Sequence, residues 1–155
     1  MRIGQGFDIH RLEAGLPFIL GGVKIASDKG PVGHSDGDPL FHAVTDAIFG
    51  ALAKGDIGQH FPDTDPANKN KNSQIFLEKA LRLVKEAGLQ IENVDSTIIL
   101  QAPKLAEHIP AIRRQLAKVL GIDVERVSVK AKTHEKLDAL GRQEGVAVHA
   151  IVLLV

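Results

Sequence analysis

A chain of 155 residues is the size of one domain with one hydrophobic core. Its 19 basic and 19 acidic residues cancel, which removes the net positive field that gathers nucleic acid or anionic membrane. A composition 44% hydrophobic and 25% charged is that of a globular chain, neither disordered nor membrane-embedded. Cysteine is absent, so disulfides, thiolate nucleophiles, zinc fingers and iron–sulfur clusters are excluded, and any metal must be held by imidazole and carboxylate. No apolar run approaches a bilayer span and residues 1–4 have no signal core, so the chain reads as soluble and cytoplasmic. With no Trp or Tyr and six Phe, it also lacks the aromatic platforms that grip single-stranded nucleic acid.

In chain order, residues 2–10 and 17–25 read as two short strands joined by a turn near 13–15, with Gly21-Gly22 marking a bulge or close backbone approach. Asp38 is set to cap a helix whose first residue is Pro39; apolar positions continue to Leu52, and Gly55 suits the stop. Residues 63–72 are polar and rich in Asn, Lys and Pro, as a mobile surface loop is. A second helix starts at Asn72 or Ser73, carries Phe76, Ala80, Leu83, Val84 and Ala87 on one face, and ends at Gly88. Residues 94–100, 110–120 (stopped by Gly121) and 126–133 make a strand–helix–strand unit with an expected right-handed crossover. Residues 145–155 alternate and then become wholly apolar, a final strand buried on at least one face. The fold expected is α/β or α+β: a single domain over 1–155, with a mixed sheet of four to five strands and about three helices on one face.

Residues two apart on a strand share a face, so Asp8 and His10 present a carboxylate and an imidazole together. His42, in the first turn of the first helix, adds a third ligand and completes a set with one open position, as catalytic zinc uses. Asp46, four residues on along the same helical face, is placed to accept the free ring N–H of His42. The competing reading is a surface pair and a helix-terminal histidine. The turn Gly33-His34-Ser35-Asp36-Gly37-Asp38 runs into that helix, so it either receives phosphate oxygens at the positive helix end or merely caps it through Ser35, Asp36 and Asp38. A cation would reconcile its two acids with a phosphate.

Past the helix, Asp56, Ile57 and Gly58 and then Phe61, Pro62, Asp63, Thr64 and Asp65 form a polar loop. Its acids either bind sugar hydroxyls, water or metal, or simply make turns. Leu100, Gln101, Ala102, Pro103 and Lys104 leave a strand where open α/β sheets bind ligands, with Lys104 offered to a phosphate or to solvent. Lys132, Thr133, His134 and Glu135 close the next strand. A hydroxyl beside a carboxylate suits magnesium held through substrate oxygens, and an edge strand of alternating charge is the alternative. His60, His108, His134 and His149 have no partner by spacing and read as structural.

Taken together, these segments resemble the 2-C-methyl-D-erythritol 2,4-cyclodiphosphate synthase family of the non-mevalonate isoprenoid pathway. The resemblance is carried by Arg2-Ile3-Gly4-x-Gly6-Phe7-Asp8-x-His10, Gly21-Gly22, His34-Ser35-Asp36-Gly37-Asp38, His42-Ala43-x-Thr45-Asp46-Ala47, Gly55-Asp56-Ile57-Gly58 and Phe61-Pro62-Asp63-Thr64-Asp65. It continues in Gln101-Ala102-Pro103-Lys104, Val129-Lys130-Ala131-x-Thr133-x-Glu135-Lys136-Leu137 and Gly141-Arg142-x-Glu144-Gly145. Each motif is weak; nine in order are specific.

The resemblance implies a homotrimer with active sites between subunits. It also implies conversion of 4-diphosphocytidyl-2-C-methyl-D-erythritol 2-phosphate to the cyclodiphosphate and CMP by attack of the 2-phosphate on the β-phosphorus. Carried over by position, Asp8, His10 and His42 would hold a zinc-type ion, and Glu135 a magnesium or manganese ion on the diphosphate. His34 and Thr133 would stabilise the transition state, with Ser35 positioning phosphate. Asp8 and His10 would also touch substrate, while Asp56, Ile57, Gly58 and Phe61 to Asp65 would hold the erythritol. Leu100 through Lys104, Leu105 and Ala106, with Lys132 to Glu135, Ala139 and Arg142, would hold the cytidine diphosphate. An axial cavity for an isoprenoid diphosphate would be lined by Phe7, Arg142 and Glu144. Relatives usually continue after Glu-Lys-Leu with a Gly-aromatic pair, whereas this chain has Asp138-Ala139, which weighs against that ligand. His134 likewise replaces a small polar residue. Two other functions stand beside it: a metal-dependent phosphohydrolase on the same ligands, told apart by a linear product, and a non-enzymatic trimeric carrier of isoprenoid diphosphates built on the axial cavity, against which the 138–140 loop argues.

Overall fold

The computed structural model describes residues 1–62, 64–65 and 71–155. Strand β1 (Arg2–Ala14) is longer than expected, because where its pairing with the last strand stops at Arg11 it gains a new antiparallel neighbour, β4 (Lys29–Pro31). The single strand expected over 17–25 is a hairpin of β2 (Phe18–Leu20) and β3 (Val23–Ile25). Gly21 and Gly22, at φ 59° and 73°, form its two-residue turn, a geometry that favours glycine at both places. Helix α1 (Pro39–Leu52) begins as expected, with Pro39 after the Asp38 cap, but it stops at Ala53, left-handed at φ 55°, rather than at Gly55.

The short α2 (Ile57–His60) starts where Asp56 caps it. Helix α3 (Gln74–Glu86) buries Phe76, Leu77, Ala80 and Val84, while Leu83 is half-buried and Ala87 lies exposed past its end. Strand β5 (Ile91–Ile99), helix α4 (Ile109–Leu120) and strand β6 (Val127–Lys132) form the expected unit, with Gly121 left-handed at the helix end and the two strands parallel. A short α5 (Asp138–Gly141) precedes the final strand β7 (Gly145–Leu154).

Among the described residues five strands form one mixed sheet in the order β4-β1-β7-β5-β6, and β2-β3 stands apart. Residues paired across strands share a face. The rows Gly4–Val152–Val94–Val127 and Gly6–Ala150–Ser96–Val129 are buried throughout. This side carries the helices: α1 covers β1 and β7, α4 covers β6, and α3 packs on α1. On the other side Ile3 (71% exposed), Phe7 (45%), Ile9 (54%) and Ile151 (44%) stand in solvent. No helix among the described residues is long and apolar enough to cross a membrane.

Two contacts place α1. A Cβ on Gly4 would sit 1.9 Å from the Ala47 carbonyl oxygen, and one on Gly6 would sit 1.9 Å from that of Ala43, so the helix lies directly on the strand backbone. At its start, the fully buried Asp38 accepts from Leu40 and Phe41 N–H at 3.1 Å each, and from Gly21 and Gly22 N–H at 2.9 and 2.7 Å. One carboxylate thus caps the helix and pins the hairpin turn against it. Gly6→Ala is expected to lower stability by about 3 kcal/mol, the upper part of the range for overpacked sites. The measure is the urea midpoint at unchanged slope, and an unchanged midpoint would show that helix and strand separate at no cost.

Candidate functional site

Beyond Gly6 on the helix-covered face of β1 come Asp8 and His10, and beside them the first turn of α1 brings His42. Asp8 Oδ2 lies 2.9 Å from His10 Nε2 and 3.3 Å from His42 Nδ1, and the two nitrogens are 3.2 Å apart. Neighbouring ligands on a tetrahedral ion with bonds near 2.05 Å are separated by about 3.3 Å. Although buried, Asp8 Oδ2 receives no hydrogen bond among the described residues, since neither ring N–H direction points at it. The three atoms crowd together, with His10 Nε2 and His42 Nδ1 in hydrogen-bond geometry, and one carboxylate oxygen with two ring nitrogens at this spacing makes a metal-ligand set.

The outer side of His10 explains its aim. Nδ1 lies 2.7 Å from the Val32 carbonyl oxygen, an acceptor only, so Nδ1 carries the hydrogen and Nε2 keeps its lone pair for the cluster. Burial raises the Asp8 carboxyl, but His10 and His42 outweigh it and hold it at about 2. Burial disfavours charge on His10, yet the Asp8 carboxylate and the Val32 carbonyl raise it above the ordinary imidazole value. The donor set, one carboxylate and two imidazoles with an orphaned oxygen between them, fits a divalent cation of the zinc type.

A cavity of about 340 Å³ opens on the cluster and is lined also by His34, Ser35, Asp46, Ile57, Gly58 and Phe61. His34 is exposed and Ser35 half-buried. The wall beside His42 is aromatic: Phe76 lies 5.7 Å from its ring and Phe61 4.6 Å from Phe76. Asp56 caps α2 through Gln59 N–H at 2.9 Å, one residue before the cavity-lining Ile57. Pro62, Thr64 and Asp65 are exposed beyond Phe61, and Asp63 lies outside the described residues, as do 66–70 of the expected loop.

The other predicted segments gather elsewhere. Leu100, Gln101, Pro103, Lys104, Leu105, Ala106, Lys132 and Thr133 line a second cavity of about 300 Å³ at the end of β5 and β6, while Ala102 lines a neighbouring one with Pro103 and Gln143. Gln101 Oε1 accepts from His134 and Lys136 N–H at 3.3 and 3.2 Å, tying the two segments together. Thr133 donates its hydroxyl to Glu135 Oε1 at 2.9 Å. A lone exposed carboxylate suits magnesium that arrives with its phosphates. Ala139 borders a further cavity with Ile9 and Asp138, and Arg142 is paired with Glu144 at 2.8 Å.

Two readings from spacing are corrected. Asp46 does not take the His42 ring N–H: its Oδ1 accepts from Ile57 N–H at 2.8 Å, because the loop after α1 folds back over it. Burial, with Asp56 and Asp8 nearby, pushes its carboxyl up. His42 Nε2 instead meets Ser73 Oγ at 2.8 Å and Ser35 Oγ at 3.2 Å. Ser73 was legible only as a helix start. His134 also has a partner after all, Asp138 Oδ1 at 2.9 Å, while His60 stacks on Phe49 at 4.1 Å.

The YgbB family model matches residues 1–155. A 2-C-methyl-D-erythritol 2,4-cyclodiphosphate synthase from Laribacter hongkongensis is 58% identical over 154 residues, covering 99% of this chain and 95% of that protein. A solved 2C-methyl-D-erythritol-2,4-cyclodiphosphate synthase in a CDP-bound form has a TM-score of 0.93 at 41% identity, over 99% of this chain and 100% of that one. The bifunctional IspDF from Campylobacter jejuni has a TM-score of 0.94 at 44% identity, over 99% of this chain but 42% of that longer chain.

His42→Ala is expected to weaken divalent-cation binding by more than about 100-fold, beyond the loss from removing an outer hydrogen-bond partner, with the circular dichroism spectrum unchanged. Isothermal titration of the variant checks this, and native affinity would dismiss the cluster as a metal site.

Proposed function

The chain belongs to the YgbB family, and from that premise we propose that it is a 2-C-methyl-D-erythritol 2,4-cyclodiphosphate synthase, a phosphorus–oxygen lyase of the non-mevalonate isoprenoid pathway. It converts 4-diphosphocytidyl-2-C-methyl-D-erythritol 2-phosphate to the cyclodiphosphate and CMP. Residues 1–155 act as one synthase domain. The observation that carries the reading on the structural side is the convergence of Asp8, His10 and His42 around an orphaned carboxylate oxygen.

In this reading Asp8 Oδ2, His10 Nε2 and His42 Nδ1 hold a zinc-type ion, and Glu135 meets magnesium or manganese on the diphosphate. Such cations supply positive charge against the phosphate oxygens, most of what phosphoryl transfer asks of a protein. The substrate's 2-phosphate oxygen bonds to the β-phosphorus and the bond to CMP breaks, so no protein nucleophile is needed. His34 on one side, and on the other the Thr133 hydroxyl once turned from Glu135, donate to phosphate oxygens where charge builds, with Ser35 positioning the phosphate. Phe61 and Phe76 keep water from the β-phosphorus, which favours ring closure over hydrolysis. Asp56, Ile57, Gly58 and the 61–65 segment hold the erythritol; the 100–106 and 132–135 segments, with Ala139 and Arg142, hold the cytidine diphosphate. A CDP-bound form of a 41% identical relative supports the nucleotide half. A cytoplasmic location belongs to this reading, since the substrate is a nucleotide conjugate.

A homotrimer with shared sites follows from the same premise and has physical support. The metal cluster stands on β1 and the nucleotide segments follow β5 and β6, two and three strands along the sheet, a separation of about 10–14 Å at ordinary strand spacing. A second chain that supplies the nucleotide half closes that gap. The open sheet face with Ile3, Phe7, Ile9 and Ile151 offers an apolar surface for association. Arg142 and Glu144 are assigned to the mouth of an axial cavity.

Phosphorus NMR of the protein with substrate, zinc and magnesium is expected to show the coupled resonances of a cyclic diphosphate together with CMP; linear phosphates would point to a hydrolase instead. Co-refolding His42→Ala chains with Glu135→Gln chains is expected to restore about a quarter of native activity, since one interface in four then pairs two intact halves. A mixture as inactive as its components would place the whole site in one chain.

A further inference from the structure

Ser73 stands at the start of α3, wholly buried, yet its hydroxyl does not cap that helix. The Ile75 and Phe76 N–H groups go to the Asn72 and Ser73 carbonyl oxygens at 3.0 and 3.1 Å instead. A serine at a helix start ordinarily accepts such a bond. Here the hydroxyl is turned away, between the carboxylate of Asp36 and the ring of His42, with Oγ 2.8 Å from Nε2.

A count of hydrogens decides which group donates. A carboxylate offers acceptors only: Asp36 Oδ2 takes the Ser73 N–H at 3.2 Å, and Oδ1 takes the Asp38 N–H at 3.3 Å and, in a short contact, the Ser73 hydroxyl. The single hydroxyl hydrogen of Ser73 is thereby committed, so toward His42 its oxygen can only accept. Ser35 fits the same scheme, with Oγ accepting from Gly37 N–H at 3.3 Å and lying 3.2 Å from both Ser73 Oγ and His42 Nε2. Its own hydrogen is left for the second lone pair of Ser73. His42 Nε2 therefore carries the ring hydrogen, and Nδ1, the atom facing Asp8 and His10, keeps a lone pair.

We propose that Ser73, held by Asp36, is a positioning residue for the metal centre: it fixes His42 in the Nε2–H form and aims Nδ1 at the cation. This deepens the metal reading of Asp8, His10 and His42 and rests on it. His10 needs only a carbonyl to set its hydrogen, because a carbonyl cannot donate. A serine hydroxyl donates or accepts equally well, so Ser73 without Asp36 would leave His42 undecided between two forms, one of which turns an N–H toward the cation.

Zinc ion is the probe. Its affinity is measured by competition with a chromophoric chelator in the native chain and in Ser73→Ala, Ser73→Thr and Asp36→Asn, and the His42 tautomer is read from long-range proton–nitrogen correlations in the zinc-loaded native protein. The native chain is expected to bind zinc with His42 as the Nε2–H form. Ser73→Ala is expected to weaken binding by roughly 10–100-fold, as losing an outer partner of a ligating histidine does, while Ser73→Thr keeps the hydroxyl and stays near native affinity. Asp36→Asn, whose amide donates to Ser73 and turns the serine hydrogen toward Nε2, is expected to lose at least as much as Ser73→Ala. Absence of zinc binding by the native chain would bring down the metal centre itself. Zinc binding with an Nδ1–H His42, native affinity in Ser73→Ala, or equal losses in the alanine and threonine variants would overturn the positioning role alone. If Ser73→Ala does not fold, the native tautomer and Asp36→Asn decide.

Discussion

Helix α1 rests on β1 with no side chain between them at Gly4 and Gly6, and the rest of the molecule is arranged around that contact. Small residues on the helix, Ala43 and Ala47, complete the approach, so the helix axis is set by backbone atoms rather than by compressible side chains. Two and four residues past Gly6 the same strand face presents Asp8 and His10, and there the first turn of α1 presents His42. Three ligands from two elements converge because those elements cannot stand further apart. Asp38 completes the constraint: its four N–H donors fix where the helix begins and hold the Gly21-Gly22 turn over it.

The centre so formed is electrostatically unfinished. A buried carboxylate oxygen and two ring nitrogens face one another within about the edge length of a tetrahedral ion, an arrangement that costs free energy unless a cation lies between them. Outside the cluster the two rings have partners: Val32 takes one imidazole hydrogen, and the Ser73, Ser35 and Asp36 group surrounds the other ring. Rigid elements supply the ligands directly, and the helix α3 start supplies the outer partner, so the geometry is held before any ligand arrives.

The 100–106 and 132–135 segments follow a different logic. They are loops at the ends of β5 and β6, joined by Gln101 and separated from the metal cluster's strand β1 by β7. One face of the sheet is sealed by helices and the other is left apolar and open. The metal cluster and the loops after β5 and β6 thus stand apart within one chain.

Local chemistry was legible from residues alone. The Asp8-x-His10 pair, the Asp38-Pro39 start, the α4 stop at Gly121 and the alternation of β7 are short-range patterns that periodicity and capping reveal. Elements whose ends depend on neighbours were not: β1 continues because β4 happens to lie beside it, and the helix α1 stop falls on Ala53, a residue with no intrinsic preference for a left-handed backbone. The site divided along the same line. Residue types and spacing marked which side chains are candidates for a cation and a phosphate, since carboxylate, imidazole and hydroxyl chemistry travels with the residue. Only the tertiary structure decided who orients His42. Asp46 shares its helix face, but the returning loop occupies it through Ile57, while Ser73, 31 residues away, arrives with its hydrogen already given to Asp36. The direction of a hydrogen bond is set by what its partners have left to donate, and that is known only once the chain has brought them together.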